Sequence, residues 1–300
     1  MKSVYHEGEF EVQKHAGVRE MAERIGRGIR EEIPEPAREF LRQQPFVVVA
    51  SVNKKEEVWI SILTGKPGFM VSPDERTIYI NTTPGDSDPL KDNLGETGRA
   101  GLLVIEFASR RRMRLNGRAE LRDGMILVRS EQVFSNCPKY IQSREWNGKA
   151  TGARQDHTIQ SGDHLTEEQQ WWIISADTFF VGSFNKMGGA DASHRGGNPG
   201  FVKVINERQL MWPDYAGNNM FQTLGNITAN PHAGLLFLDF EKGRTLQLTG
   251  LAHVDWNPHA SAEFTGAERL VRFEVKQVIE TTGVVPFGWR LLSYSPFNPS

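Results

Sequence analysis

One cysteine, Cys137, stands in 300 residues, so no internal disulfide can form and a reducing compartment is expected. Long apolar runs are missing as well. Nothing approaches the roughly 18 consecutive apolar residues that span a bilayer, and the opening MKSVYHEGEFEVQKHAG lacks the apolar core of a secretory signal. A cytoplasmic location without membrane contact is the expectation. Charge of one sign is not in excess: Lys plus Arg number 35 and Asp plus Glu 37, a net charge of −2, which leaves no overall footprint for nucleic acid. A small-molecule partner is expected instead. The eight histidines are scattered, with neither the i, i+4 spacing nor the cysteine pairs of a zinc site, so no metal is expected. GxSxG, GxxxxGK[ST] and GxGxxG are all absent, which argues against a nucleophile elbow, a P-loop and a dinucleotide held in the Rossmann manner.

What is present is a repeat. SVNKKEEVWISILTGKPGF (Ser51 to Phe69) lies on SFNKMGGADASHRGGNPGF (Ser183 to Phe201) at a constant offset of 132, with eight of nineteen positions identical. AGLLVIEF (Ala100 to Phe107) returns as AGLLFLDF (Ala233 to Phe240) at an offset of 133, and Leu115-Asn116-Gly117 as Leu248-Thr249-Gly250. The order of the blocks is kept, as two copies of one folded unit would require.

Each copy opens with a short helix: Pro36 suits a first helical turn before REFLRQQ, and Thr166 with Gln169 forms a capping-box pattern before WWIISA. The rest reads as short strands rich in β-branched and aromatic residues, FVVVASV, TIYIN, GLLVIEF and RMRLNGRAEL answering FFVGSF, FVKVI, GLLFLDF and TLQLTGLAHV. The fold expected is mainly β, a β-barrel with short helices, occurring twice in tandem. Residues 1–33 form an N-terminal helical appendage, with Val18, Met21, Ile25 and Ile29 as its apolar stripe. Residues 34–146 form the first barrel, 147–165 a polar linker, and 166–300 the second barrel.

Positions where the copies differ in chemical type are the informative ones. Trp59, Ile62 and Leu63 in the first copy face Asp191, His194 and Arg195 in the second. Asp191, Ser193 and Arg195 share one face of a strand, and a guanidinium beside a hydroxyl at a Gly-Gly turn suits a phosphate or carboxylate. A solvated strand end remains the alternative. Asn218, Asn219, Gln222, Thr223 and Asn226 offer amides and a hydroxyl for the edge of a heteroaromatic ring, or else a helix cap and turn. The first copy carries aspartates there, in PGDSDPLKDN, which would repel a phosphate. The run RRRMR, Arg110 to Arg114, reads as a solvated edge strand. NCPKYIQ groups Cys137, Lys139 and Tyr140, weak catalytic candidates together with His194.

The second copy, with its SHRGGNPGF signature, resembles the FMN-binding split-barrel proteins of the pyridoxamine 5′-phosphate oxidase-like superfamily; NCPKYIQ and the HxGExxxQ pattern at His6 to Gln13 resemble one of its subgroups. The resemblance implies tandem six-stranded split barrels binding FMN at the seam between two barrels. Ser193 and Arg195 would hold the phosphate, and Asn219 and Thr223 would lie near the ribityl chain or phosphate. Asn218 and Asn226 would belong to the same polar wall. Gln247 and Thr249 would face the ring, with the backbone near Pro199 tuning it. The two barrels would pair within one chain as a pseudo-dimer, a homodimer of such chains being left open. The expected activity is that of an FMN-dependent oxidoreductase acting on a small organic substrate, with NAD(P)H as candidate electron donor. A non-catalytic binder of flavin, haem or another tetrapyrrole is the alternative.

Overall fold

The computed structural model describes residues 3–146, 158–286 and 288–299. Two helices lead in, α1 (Glu7–His15) and α2 (Arg19–Gly26), followed by α3 (Glu35–Gln43), which carries its proline in the first turn. The first unit then runs β1 (Phe46–Val52), β2 (Val58–Thr64), β3 (Met70–Val71), β4 (Thr77–Ile80), α4 (Pro89–Glu96), β5 (Arg99–Glu106), β6 (Arg111–Arg122) and β7 (Met125–Ser135). After β8 (Ser143–Trp146) and β9 (Ile159–Gly162) comes α5 (Glu167–Ser175), whose N-terminus has the capping box between Thr166 and Gln169. The second unit comprises β10 (Thr178–Asn185), β11 (Gly189–Gly196), β12 (Lys203–Asn206), β13 (Gln209–Tyr215), α6 (Gln222–Ala229), β14 (His232–Leu238), β15 (Thr245–Asp255), α7 (Pro258–Ser261) and β16 (Ala267–Thr281), and β17 (Trp289–Ser293) pairs with β8.

Both units have one strand order. The first sheet runs β2-β1-β5-β6-β7-β4-β3 and the second β11-β10-β14-β15-β16-β13-β12, each strand taking the place of its counterpart. Each sheet closes on its own core. Val47, Val49, Leu102, Val104 and Leu115 fill the first, and Phe179, Val181, Leu235, Phe237 and Leu248 the second. Because side chains alternate along a strand, the intervening residues point the other way, and here they meet the other barrel: Val48, Ala50, Leu103 and Ile105 join Phe180, Ala192, Leu236 and Leu238 in a third core. Burial on both faces explains why β1 and β5 are near-continuous apolar runs instead of alternating ones. The backbones also approach closely across this seam. A Cβ on Gly101 would lie 2.5 Å from Asp191 Cα, and one on Gly234 would lie 2.7 Å from Val58 O.

Several sequence expectations are corrected. The RRRMR run is no edge strand: β6 lies between β5 and β7, and Arg114 is buried. Within the expected linker, residues 147–157 lie outside the described residues, but Ile159–Gly162 adds to β16 as β9. TIYI corresponds by sheet position to QLMWPDY in β13, and FVKVI corresponds to β3. The apolar stripe of the N-terminal segment docks only in part: Ile29 packs against Tyr5, Phe134 and Met220, and α2 buries Ala22 and Gly26, while Met21 and Ile25 stay exposed.

The docked element is α1, and it explains HxGExxxQ. His6 caps the helix by accepting from Gly8 N–H at Nδ1, so its proton sits on Nε2 and is donated to Asn226 Oδ1 at 2.8 Å. Gly8 presses on Gly225 of α6, where any side chain would collide with backbone. Gln13 donates to Met220 O, and Glu9 accepts from His6 N–H. Burial first, and the nearby Asp191 charge, push the Glu9 carboxyl up to about 8, while hydrogen bonding to His6 and the Arg114 charge oppose the shift. Burial lowers the pKa of His6. A raised carboxylate pKa contributes stability that is complete below the unfolded value and lost as pH rises towards the folded one; the lowered histidine works in the opposite sense, below about 6.5. From pH 6.5 to 8 only Glu9 of this pair acts. The unfolding free energy measured in urea is therefore expected to fall across that window, by at most about 2 kcal/mol for one proton over 1.5 pH units. Glu9→Gln is expected to flatten that decline, and an unaltered slope in the variant would remove Glu9 as its source.

Candidate functional site

A cleft opens between the barrels where β6 of the first meets β11 and the N-terminus of α6 in the second. Among the described residues its walls bring together Arg112, Arg114, Lys139 and Arg195 against one lining carboxylate, Asp214, with Asp191 buried behind Arg114. In a chain of net charge −2 this is a local excess of positive charge, part of it offset by Asp191 and Asp214.

The basic side chains are held at a cost. Arg112 donates to Cys137 O at 2.6 Å and faces His194 Nδ1 at 3.2 Å. Burial, and then repulsion from Arg114 and Arg195, lower its pKa to about 9. Arg114 is ion-paired with the fully buried Asp191. Arg195 donates to Asp214 Oδ1 at 2.8 Å, and Arg269 stands 3.7 Å from the other oxygen of the same carboxylate. His194 is kept neutral: burial, followed by the charges of Arg112, Arg144 and Arg195, holds its pKa well below the usual imidazole range. With Nδ1 accepting from Arg112, its proton belongs on Nε2.

Buried polar atoms left without partners gather here. Among the described residues Arg112 Nε, Asn136 Oδ1, Ser193 Oγ, His194 Nε2 and Arg195 Nε all lack a hydrogen-bond partner, and all belong to residues lining this cleft. Such atoms are expensive unless a ligand or solvent satisfies them. Helix α6 adds to the demand. Its N-cap, Phe221, is left-handed and provides no side-chain cap, so the first amides of the helix open toward the cleft, lined by Phe221, Gln222, Thr223 and Leu224.

The counterpart helix in the first barrel shows what that end requires. At the position equivalent to Phe221 stands Asp88, the N-cap of α4. Its carboxyl accepts from Leu90 N–H at 2.9 Å and from Ser61 Oγ at 2.5 Å, Ser61 being the equivalent of the unpartnered Ser193. Thus one barrel supplies an internal carboxyl to a hydroxyl and a helix N-terminus, and the other leaves the same two donors vacant. Their arrangement can hold an anion.

The sequence candidates divide accordingly. Ser193, Arg195, Asn218, Asn219, Thr223, His194, Cys137, Lys139 and Tyr140 all line the cleft. Thr223 donates to Asp191, Asn218 accepts from Met220 N–H, and Tyr140 donates to Ala216 O across the mouth. Four others stand elsewhere. Pro199 lies on an exposed turn, and Asn226 is committed to His6 and to Ser183. Thr249 is buried within the sheet between Gly234 and Gln277. Gln247 donates to Ile60 O and Ser61 Oγ and lines a cavity of the first barrel instead. Arg112, Arg114 and Asn136 are among the lining residues that the sequence did not assign to the site, whereas Gln222, one of the amide cluster, does line it. Gln142 is the hub of NCPKYIQ: its buried amide joins Tyr140 O, Asp177 O and Gly197 O to Ser295 N–H in the C-terminal tail.

Two split barrels in tandem with an anion-seeking cleft at their seam define a class of architecture. The sequence pattern of the family described as pyridoxamine 5′-phosphate oxidase matches residues 33–153 and again 165–282, and the chain belongs to that family. No curated protein matches the chain. Among solved structures, a putative pyridoxamine 5′-phosphate oxidase from Lactobacillus delbrueckii is 16% identical, with 38% of this chain and 93% of that one covered and a TM-score of 0.32. An FMN-binding protein from Syntrophomonas wolfei is 13% identical over 42% of this chain and 95% of its own, with a TM-score of 0.28. A FAD-binding protein from Mesorhizobium loti is 9% identical over 41% and 98%, with a TM-score of 0.29.

Proposed function

We propose that the chain is an FMN-binding flavoprotein, an oxidoreductase acting on a small organic substrate, whose cleft holds the cofactor by its phosphate. The observation that carries this reading is the contrast between α4, capped by Asp88, and α6, whose uncapped end faces the unpartnered Ser193 Oγ among arginines. The phosphate would take the hydroxyl of Ser193 and the first amides of α6, with Arg114 and Arg195 offsetting its charge. Its arrival would offset the repulsion from Arg114 and Arg195 that, after burial, lowers the pKa of Arg112. The enclosed part of the cleft, about 100 Å³, is well below the ~300–1,000 Å³ of sites for drug-sized ligands, so it suits the anionic end, the remainder of the ligand extending beyond it.

When bound, the flavin supplies two-electron redox chemistry, with NAD(P)H as the proposed donor. The residues of the chain orient it and set its electrostatic surroundings. His194, neutral and carrying its proton on Nε2, is available as a hydrogen-bond donor, and Lys139 and Tyr140 line the first barrel's side of the cleft. Because β6 comes from one barrel and β11 with α6 from the other, one chain suffices to build the site.

Titrating the apo-protein with FMN is expected to show one tight site per chain, since Ile62 and Leu63 stand where the second barrel has His194 and Arg195. Two equivalent tight sites would contradict this. The bound chromophore should have flavin absorption bands that bleach under anaerobic NADPH. A Soret band would instead identify a tetrapyrrole binder, and flavin bands inert to every reductant a non-catalytic one.

A further inference from the structure

The first barrel has its own cavity at the place equivalent to the cleft, and its chemistry is the reverse. It encloses about 440 Å³, within the range of ligand sites, and among the described residues no lysine, arginine or histidine lines it. Ile62, Leu63 and Leu236 supply apolar walls. Thr64, Thr82 and Thr245 place hydroxyls around them, none engaged in a side-chain hydrogen bond among the described residues. By position, Thr245 replaces Arg112 and Gln247 replaces Arg114.

Asp88 lies at the inner end. It occupies Ser61 Oγ and the N-terminus of α4, the two kinds of donor that stand vacant around Ser193 and α6. The carboxyl therefore sits where a ligand's anionic group would otherwise bind, and a phosphate entering this cavity would find its donors taken and no cation among the described lining residues to replace them. Space for an uncharged ring remains. Gln247 donates to Ile60 O and Ser61 Oγ and also hydrogen-bonds Asp88, so its amide sits between the inner carboxyl and the apolar wall.

We propose that this second cavity binds an uncharged, hydrogen-bonding heteroaromatic ring compound, the counterpart of the first ligand without its phosphate, with Asp88 as a built-in substitute for the missing group. One chain then carries two sites of opposite preference, one for an anionic ligand and one for a neutral ligand. The choice of ring class rests on the FMN reading of the cleft. The exclusion of anions does not.

Riboflavin and FMN share a ring and differ by the phosphate, so calorimetric titration of the intact protein with each separates the sites. Riboflavin is expected to bind at one site per chain in protein already saturated with FMN. Thr64→Trp, at a half-buried rim position, should weaken riboflavin at least tenfold and leave FMN within twofold. Arg195→Ala should do the reverse. Circular dichroism and urea midpoints near the wild-type values would show that Thr64→Trp has folded. Should that variant misfold, Thr82→Trp offers the same block from the opposite rim. Absence of riboflavin binding to FMN-loaded protein, or a riboflavin affinity that falls with Arg195→Ala and ignores both tryptophans, would overturn the proposal. Failure of FMN to bind while riboflavin still obeys the tryptophans would instead sink the reading of the cleft and leave the neutral site standing.

Discussion

Replacing Arg195 with alanine is expected to weaken FMN binding by about 1.5–3 kcal/mol, a factor of roughly 10 to 150, as for loss of one charge-assisted hydrogen bond. The guanidinium now donates to Asp214 and leaves Nε buried without a partner, so it has a donor to spare for an incoming phosphate. Its removal should not unfold the second barrel, because Arg269 also faces Asp214 and remains to offset that carboxylate. The loss should therefore appear in FMN affinity measured by fluorescence quenching, with a urea midpoint close to wild type. Lysine at the same position is expected to recover only part of the affinity, since a compact ammonium cannot keep Asp214 and reach a phosphate through a planar fork. An unchanged affinity in Arg195→Ala would take this residue out of the anion site and leave Ser193, Arg114 and the α6 amides to hold it.

Much of this architecture could be read before any coordinates. The offset repeat put GLLVIEF on GLLFLDF, and these became β5 and β14, the same strand of two barrels. Substitution within the repeat also carries information: Ser193, His194 and Arg195 line the cleft, where Ile62 and Leu63 line a cavity with no cation among its described lining residues. The arginine run reads as a solvated edge for a physical reason. A cluster of like charges has a high desolvation cost, so a solvated edge is the lower-energy assignment unless a carboxylate elsewhere in the sequence takes up part of the charge. Asp191, 77 residues beyond Arg114, does so, and no local pattern announces that pairing. Gln247 was misplaced for a related reason. The two-fold relation between barrels sends equivalent strands to opposite sites, so a residue of β15 serves the first barrel's cavity and a residue of β6 serves the second barrel's cleft. One signal for the double-sided burial was present and unused: β1 and β5 do not alternate, and a short strand apolar on both faces must be covered on both. The short motif at His6 to Gln13 gave no hint of its partner either, because what it grips, Asn226, is 220 residues away.

Alanine at Gly234 or at Gly101 is expected to cost at least about 2–3 kcal/mol of stability, the upper range for overpacking a filled interior. In both cases the new methyl meets main chain of the other barrel, Val58 O and Trp59 Cα for Gly234, Ala190 O and Asp191 Cα for Gly101. Backbone cannot turn aside as a side chain can, so relief requires the barrels to separate along the seam held by Leu103, Phe180 and Leu236. The two variants differ in what lies behind the contact. Displacing Asp191 disturbs its pairing with Arg114 and the hydroxyl of Thr223, both at the cleft, whereas displacing Val58 and Trp59 does not touch the cleft's lining. Gly101→Ala should thus lose FMN affinity as well as stability, and Gly234→Ala chiefly stability. Urea denaturation and FMN titration of both variants test the pair together. A midpoint for Gly234→Ala equal to wild type would mean that the barrels do not meet at this distance in solution, and equal FMN losses in the two would deny Asp191 its place in organising the cleft.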